Sequence, residues 1–229
     1  MAELATTQLV NEPLVTNHFT RQNFVQDPKA LLVLAHGAGA DMNHEFMETI
    51  TSQLNLHQIN VIRFNFPFMQ KRAEDGKRRP PDRMPKLIDC FLSLLSTIDS
   101  QLPLFIAGKS MGGRVAATLM NESIAGCLFP YINGGICLGY PFHPQKKPEK
   151  LRLEPLQDNQ KKLLIVQGDR DTLGNKDEIA RYDISTLCEV LFLSDGDHNL
   201  KPRVKSGFTP QQHIETTIQA IVGFIDANS

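Results

Sequence analysis

The sequence predicts an α/β fold, with a central, mostly parallel β-sheet and helices on both of its faces. Short apolar runs alternate along the chain with longer segments of helical period, which is the order that produces parallel sheets. The runs are almost continuously apolar, as expected for strands that helices cover on both sides. With 229 residues and no repeat or linker-like segment, residues 1–229 are predicted to form a single domain.

Six segments have the length and composition of buried strands. They are residues 30–35 (ALLVLA), 60–64 (NVIRF), 104–107 (LFIA), 134–140 (GGICLGY), 163–166 (LLIV) and 189–193 (EVLFL). Residues 1–29 are interpreted as an edge strand or hairpin that precedes this set.

Two segments show the period of an amphipathic helix. Residues 85–100 begin with a proline, which suits a first turn, and their apolar positions form one stripe: Leu87, Ile88, Phe91, Leu94, Leu95 and Ile98. The last helix is predicted to start after a Thr209 cap, with Pro210 in its first turn. Its predicted apolar face consists of Ile214, Ile218, Ile221, Val222 and Ile225.

Charge and cysteine content narrow the classes of partner. A formal net charge of −1 gives no bulk attraction for nucleic acid or an anionic membrane, so neither is an expected partner. No segment approaches the roughly 18 apolar residues of a membrane span, and the start lacks the pattern of a signal peptide. We expect a cytoplasmic protein that uses no cofactor or metal. The sequence does not predict its oligomeric state. Its four separated cysteines fit buried free thiols: Cys90, Cys127, Cys137 and Cys188.

Residues 108–112 (GKSMG) carry the strongest chemical signal. They match G-x-S-x-G, directly follow the strand at 104–107 and precede a helical segment at 113–120, which is the context the motif requires. A serine at such a turn has a strained backbone, and glycine on either side removes Cβ atoms that would clash. The motif also occurs by chance as a glycine-flanked turn, but its placement favours Ser110 as a nucleophile, exposed where a helix dipole favours negative charge.

Residues 36–40 (HGAGA) follow the strand at 30–35 and suit an oxyanion hole. The tetrahedral intermediate of acyl transfer needs two N–H donors. One is expected from Met111, the residue after the nucleophile, and the other from Ala38 or Gly39 in this glycine-containing loop. The alternatives are a flexible glycine turn or a phosphate-binding loop, although the full G-x-G-x-x-G pattern is missing. His36 is expected to be a structural, hydrogen-bonded histidine.

Two aspartates follow the strand at 163–166, and ligands of open α/β sheets lie at that end of the strands. Asp171 is far enough into the loop to turn back toward a histidine. Asp169 lies closer to the strand and is better suited to binding loop amides. We therefore favour Asp171 as the catalytic acid.

His198, in the turn that follows the strand at 189–193, is the predicted base. The chain has seven histidines, and His198 comes after both the serine and the acid and closely follows a predicted strand, which completes the order Ser…Asp…His of α/β-hydrolases. Asp195 and Asp197 beside it are interpreted as turn or capping residues. In such a triad the histidine takes the serine proton and the aspartate holds the imidazole tautomer.

A set of seven segments resembles a known family. They are residues 36–40, 63–67, 79–83, 108–114, 138–141, 147–150 and 195–198. Together they resemble the α/β-hydrolase-like family named after subunit 3 of the NSL chromatin complex and a testis-expressed relative, over about residues 30–225. More distantly, the chain is similar to dienelactone hydrolases, which usually carry cysteine where this chain has Ser110. The resemblance implies the α/β-hydrolase fold and a hydrolase-like site, but no substrate.

The sequence thus predicts a serine hydrolase for a small-molecule carboxylic ester or thioester, with a Ser110–His198–Asp171 triad and an acyl-enzyme. The alternative is a non-catalytic binding or scaffold protein that kept the fold, and a peptidase is a weaker third possibility. Only about 20 residues, 141–161, separate two strands at the usual position of a lid, so a minimal lid and an open cleft are expected.

Two basic segments follow strand ends on the side expected for Ser110. Residues 71–83 hold six basic and three acidic side chains, and residues 146–152 hold four basic and one acidic. They are either ordinary solvated loops or a positive rim that attracts an anionic substrate.

Overall fold

The computed structural model describes residues 20–229, in which seven strands form one sheet. The strands are β1 (Thr20–Asn23), β2 (Ala30–Ala35), β3 (Ile59–Phe64), β4 (Leu104–Lys109), β5 (Ile132–Leu138), β6 (Leu163–Gly168) and β7 (Cys188–Leu193). Their order is β1-β3-β2-β4-β5-β6-β7. Strands β2 to β7 are parallel and β1 is antiparallel to β3. The predicted mostly parallel sheet is confirmed, and β1 supplies the predicted edge strand, while residues 1–19 lie outside the described part.

The helices of the described residues vary widely in length. They are α1 (Glu45–Asn55), α2 (Pro67–Asp75), α3 (Met84–Leu95), α4 (Met111–Thr118), α5 (Glu122–Ala125), α6 (Glu154–Gln157), α7 (Lys176–Ile179) and α8 (Pro210–Asn228). Short 3₁₀ turns cover Gly126–Tyr131 and Val204–Ser206. None of the helices within residues 20–229 has the length and apolarity that crossing a bilayer requires.

Alternating side chains of the strands build one apolar core on each face of the sheet. In β2, Leu31 and Val33 belong to the core shared with α2, α3 and α4, whereas Leu32 and Leu34 belong to the core shared with α1 and α8. All six residues of β2 are buried. A strand in this position needs apolar side chains on both faces, which explains the continuous apolar runs in the sequence.

The two predicted helices form, one of them shorter than expected. Helix α8 begins as predicted, with a capping box between Thr209 and Gln212, and buries Phe224 in addition to three of its predicted isoleucines. Helix α3 ends at Leu95, not at residue 100. The hydroxyls of Ser96 and Thr97 donate to the carbonyls of the last turn, which is how such side chains compete with a continuing helix.

Three further expectations need correction. Strand β5 covers Ile132–Leu138, not residues 134–140, because Gly139 turns the chain with a φ of 67°. Cys127 is exposed, not buried, because it lies in a surface 3₁₀ turn, although all four thiols are free. The basic segment 71–83 is not all loop, since its first five residues belong to α2.

The sheet positions a crevice between β2 and β4. After β2 the chain moves to β3 on one side, and after α3 it returns to β4 on the other side. At such a switch point, the loops that follow the two neighbouring strands separate and leave room for a ligand. The loop after β2 contains Ala38, and the turn after β4 contains Ser110.

Candidate active site

Ser110 occupies the strained turn between β4 and α4. Its φ of 52° and ψ of −111° lie in a region that residues with a side chain rarely adopt. A Cβ on Gly108 would come within 2.1 Å of the Gly112 carbonyl carbon, and a Cβ on Gly112 within 2.6 Å of the Ala35 oxygen. The two glycines of the motif are therefore required for the close packing of this turn.

Ser110, His198 and Asp171 form one hydrogen-bonded line. The His198 Nε2 lies 2.8 Å from the Ser110 Oγ, and the His198 Nδ1 lies 2.7 Å from an Asp171 carboxylate oxygen. The carboxylate accepts from Nδ1–H, so Nε2 is the atom free to accept the serine proton. The side chain of His198 is 24% exposed, whereas that of Asp171 is fully buried. One end of the line is thus open to solvent, while the Asp171 end is buried.

Asp171 is held by one group on its own loop and one at the end of β6. Its Oδ1 accepts the Leu173 N–H at 2.8 Å, and its Oδ2 accepts the Gln167 side-chain amide at 2.9 Å. Gln167 is itself buried, and its side-chain oxygen accepts the Tyr140 N–H. Asp169 instead contributes its main-chain carbonyl, which accepts from the Lys176 N–H. Of the two aspartates, the structure brings Asp171 to His198.

The loops that carry Asp171 and His198 cross at two glycines. A Cβ on Gly168 would lie 2.3 Å from the Gly196 oxygen, so neither backbone leaves room for a side chain at the crossing. Asp195 and Asp197 organise the histidine loop as predicted for turn residues. Asp195 accepts from the Arg203 backbone and guanidinium, and Asp197 accepts from two main-chain N–H groups of its own turn.

His36 is a buried structural histidine, as predicted. Its Nε2 accepts the Phe66 N–H at 3.0 Å, so the ring proton is on Nδ1, which donates to the Gly37 carbonyl at 2.7 Å. Burial lowers the pKa of His36 to about 4, against the opposing effects of the Gly37 hydrogen bond and the Asp41 charge. The imidazole is therefore neutral near pH 7.

The hydrogen bond from His36 fixes the direction of the next peptide N–H. In a trans peptide the C=O and N–H point in opposite directions. With the Gly37 oxygen turned toward His36, the Ala38 N–H points away from it. Ala38 borders both clefts next to Ser110, whereas Gly39 borders one of them. Met111 is the first residue of α4, so its N–H has no acceptor within the helix.

Two polar residues near the line were not singled out from the sequence, Lys109 and Gln167. Lys109 is buried, and its Nζ donates to the His198 carbonyl. Burial lowers its pKa to about 8, although the Asp171 and Asp197 charges favour its protonated form. The available signal was the same for both residues: each is the polar residue at or near the end of an apolar strand, where a side chain without a partner would be costly.

Two clefts meet at Ser110 and His198. The first, which we call the Arg114 cleft, has a volume of about 580 Å³ and includes Arg114, Arg152 and Asp82 in its wall. The second, the Ile214 cleft, has a volume of about 710 Å³ and is bordered by Phe46, Ile214 and the loop after β2. Between β5 and β6 the chain forms turns and the four-residue helix α6, so this segment adds no lid domain.

The fold has close counterparts among solved structures. A dienelactone hydrolase from Anabaena variabilis superposes with a TM-score of 0.68 at 14% identity, covering 91% of both chains. Est1E from Butyrivibrio proteoclasticus, with ferulic acid bound, gives 0.65 at 14% identity and covers 91% of this chain and 94% of its own.

A serine hydrolase without lid from Xanthomonas campestris gives a TM-score of 0.59 at 15% identity, covering 91% of this chain and 86% of its own. At such identities the likeness establishes the fold, and the predicted α/β-hydrolase fold is confirmed. A family profile described as alpha/beta hydrolase domain matches residues 28–226. The chain therefore belongs to the alpha/beta hydrolase domain family.

Proposed function

We propose that this protein is a serine hydrolase that cleaves a small-molecule carboxylic ester or thioester through an acyl-enzyme. The observation that carries the proposal is the hydrogen-bonded line from the Ser110 Oγ through His198 to the buried Asp171 carboxylate. The position of Ser110 also supports the proposal, because it occupies a strained turn at the start of α4, where the helix dipole favours negative charge. The ester class is further supported by the dienelactone hydrolase among the structural neighbours.

Each step of the proposed reaction has a group in place. His198 Nε2 accepts the proton as the Ser110 oxygen attacks the acyl carbon, and Asp171 stabilises the imidazolium that forms. His198 then gives the proton to the leaving alcohol or thiol, which leaves the acyl group on Ser110. Water, deprotonated by the same His198 nitrogen, attacks the acyl carbon and restores free serine.

The oxyanion of the tetrahedral intermediate would be held by two main-chain N–H groups. We assign these to Met111 and Ala38, because Met111 begins α4 and the Ala38 N–H points away from the Gly37 carbonyl that His36 holds. Gly39 remains the alternative for the second donor. Preorganised donors of this kind are typically worth about 10²- to 10³-fold each in kcat.

The proposal has two narrower parts. Within the alpha/beta hydrolases, the seven sequence segments support a place in the family named after subunit 3 of the NSL chromatin complex. Four free thiols support a reducing compartment such as the cytoplasm.

A fluorophosphonate probe tests the function directly, because it reacts with an activated serine and not with an ordinary one. We expect labelling of the wild-type protein, none in Ser110→Ala and much slower labelling in His198→Ala. Ser93→Ala is the matched control, because Ser93 is an exposed serine on α3, and it should label like the wild type. A folded wild-type protein that does not label would favour the non-catalytic scaffold.

A further inference from the structure

We propose that the Arg114 cleft is a subsite for a carboxylate group of the substrate, held by Arg114 and Arg152. The inference rests on the proposed hydrolase function and deepens it, because it gives the substrate a charge. Both arginines border the same cleft as Ser110 and His198. A carboxylate bound there would belong to a molecule that also reaches the nucleophile.

Arg114 offers a donor that the described protein leaves unused. Its Nε is buried and has no hydrogen-bond partner among the described residues. Arg114 lies on α4, four residues after Ser110, so the helix that begins at the nucleophile also fixes this guanidinium. Arginine presents its N–H groups in a planar fork that matches a carboxylate.

Arg152 is placed beside Arg114 by main-chain contacts. Its N–H donates to the Phe142 carbonyl and its carbonyl accepts the Tyr140 hydroxyl, both at 2.8 Å. Burial lowers the pKa of Arg152, and the positive charge of Arg114 lowers it further. The two guanidinium groups therefore repel each other, and a bound anion would relieve that repulsion.

The charge of the cleft fits one carboxylate better than a phosphate dianion. Asp82 also borders the cleft, and its Oδ1 accepts from Lys86 at 2.8 Å, while its Oδ2 is buried with no hydrogen-bond partner within residues 20–229. The Lys86 ammonium offsets the Asp82 charge, so the two arginines leave the cleft wall net positive. The Asp82 carboxylate nevertheless repels a dianion more strongly than a single carboxylate. The other lysines and arginines of segments 71–83 and 146–152 lie outside this wall. Of the two segments, Arg152 alone therefore places a positive charge in the cleft wall.

Matched esters test the subsite. p-Nitrophenyl butyrate and p-nitrophenyl hemisuccinate share a four-carbon acyl chain, and only the second ends in a carboxylate. 4-Carboxyphenyl butyrate places the carboxylate on the leaving group instead. The measured quantity is the ratio of kcat/KM for each anionic ester to that for the neutral one.

We expect Arg114→Gln and Arg152→Gln each to lower this ratio by about tenfold or more for at least one anionic ester, because a charge-assisted hydrogen bond is lost. Lys147→Gln removes the same charge from an exposed loop residue and should leave the ratio within about twofold of the wild type. Unchanged ratios in both arginine variants, or an equal change in Lys147→Gln, would overturn the subsite.

Binding separates failure of the subsite from failure of the function. If the wild-type protein hydrolyses none of the three esters, fluorophosphonate labelling decides on the proposed function, and the subsite is judged by calorimetric titration with succinate. Binding to the wild type and to Lys147→Gln but not to Arg114→Gln would support the subsite. Absence of binding to the folded wild type, or equal binding to all three proteins, would contradict it.

Discussion

Two histidines, His36 and His198, lie at the same edge of the sheet but have different hydrogen-bond partners and different exposure to solvent. His36 follows β2 directly and is completely buried, with both ring nitrogens bound to main-chain groups. His198 follows β7 by a short turn and is partly exposed, with its ring nitrogens bound to Asp171 and Ser110. Both are histidines in a segment that follows a parallel strand. The difference lies in the partners and in the access of solvent.

The comparison shows how burial and hydrogen-bond partners suit two histidines to different roles. Burial keeps His36 neutral, with a pKa of about 4, which makes it a fixed donor and acceptor and a poor base near pH 7. His198 has a carboxylate behind it and a hydroxyl before it, so protonation of its ring would be stabilised when the hydroxyl proton is transferred. We therefore expect loss of His198 to stop the chemistry and loss of His36 to distort the loop that supports it.

The largest expected effect is that of His198→Ala. Removal of the base should lower kcat for an ester substrate by on the order of 10⁶-fold, as for other triad histidines. Circular dichroism and the unfolding midpoint should remain close to the wild type, because this side chain is partly exposed. A folded variant with more than about a tenth of the wild-type kcat would show that His198 is not the base.

Asp171→Asn tests what distinguishes His198 from His36, namely the carboxylate behind the ring. An amide in this place favours the wrong tautomer, and kcat should fall by on the order of 10⁴-fold. Asp169→Asn is the matched control two residues away, and it should change kcat by less than about threefold, because Asp169 contributes a main-chain contact. A reversed order in two folded variants would reassign the acid.

His36→Ala should have a smaller effect, of about 10²-fold, confined to kcat. Without the bond from Nδ1 to the Gly37 carbonyl, the Ala38 N–H loses its fixed direction, and one oxyanion donor is typically worth about this much. His36→Asn, which keeps a donor near the Nδ1 position, should recover part of the loss. An effect on KM alone, or no rescue by asparagine in a folded variant, would contradict a positioning role.

The pH dependence of stability gives the smallest and most specific test of His36. Its pKa is about 4 in the folded protein against 6.5 for the free side chain, so the unfolded state binds the extra proton between these values. Stability is therefore complete above pH 6.5 and is lost as pH falls toward 4, by on the order of 3 kcal/mol. Urea unfolding of the wild type and His36→Ala should show their difference shrinking over this range. Parallel curves would mean that His36 is not buried neutral.

The sequence predicts those candidate site residues that belong to a local sequence pattern. Ser110 is predicted because glycines two residues away on both sides indicate a strained turn, which the structure contains, and His198 is predicted from its order after the serine and acid. The sequence also points to the loop at residues 36–40, but whether Ala38 or Gly39 is the candidate oxyanion donor depends on the direction of a single carbonyl, that of Gly37. That direction is set by a bond across the fold between His36 and its neighbours, for which the sequence has no periodic signal.

What the sequence missed depends on contacts between distant segments. Strand β6 brings Gln167 to the Asp171 carboxylate, and strand β4 brings Lys109 to the His198 carbonyl. The apolar stripe of α3 continues in the sequence to Ile98, which predicts a helix over residues 85–100. The helix ends at Leu95, because the Ser96 and Thr97 hydroxyls donate to the carbonyls of its last turn. Charge counting along the two basic segments leaves solvated loops and a basic rim as alternatives. It does not point to Arg114, which borders the cleft and lies on α4 outside both segments.

The most direct test of the central claim is to trap the acyl group that Ser110 is proposed to carry. The wild-type protein would be mixed with p-nitrophenyl butyrate, quenched in acid during turnover and mapped by peptide mass spectrometry. The account predicts one butyryl group on the peptide that contains Ser110, and none in Ser110→Ala under the same conditions. Turnover of the ester without acylation of Ser110, or with the acyl group on the exposed Cys127 instead, would contradict it.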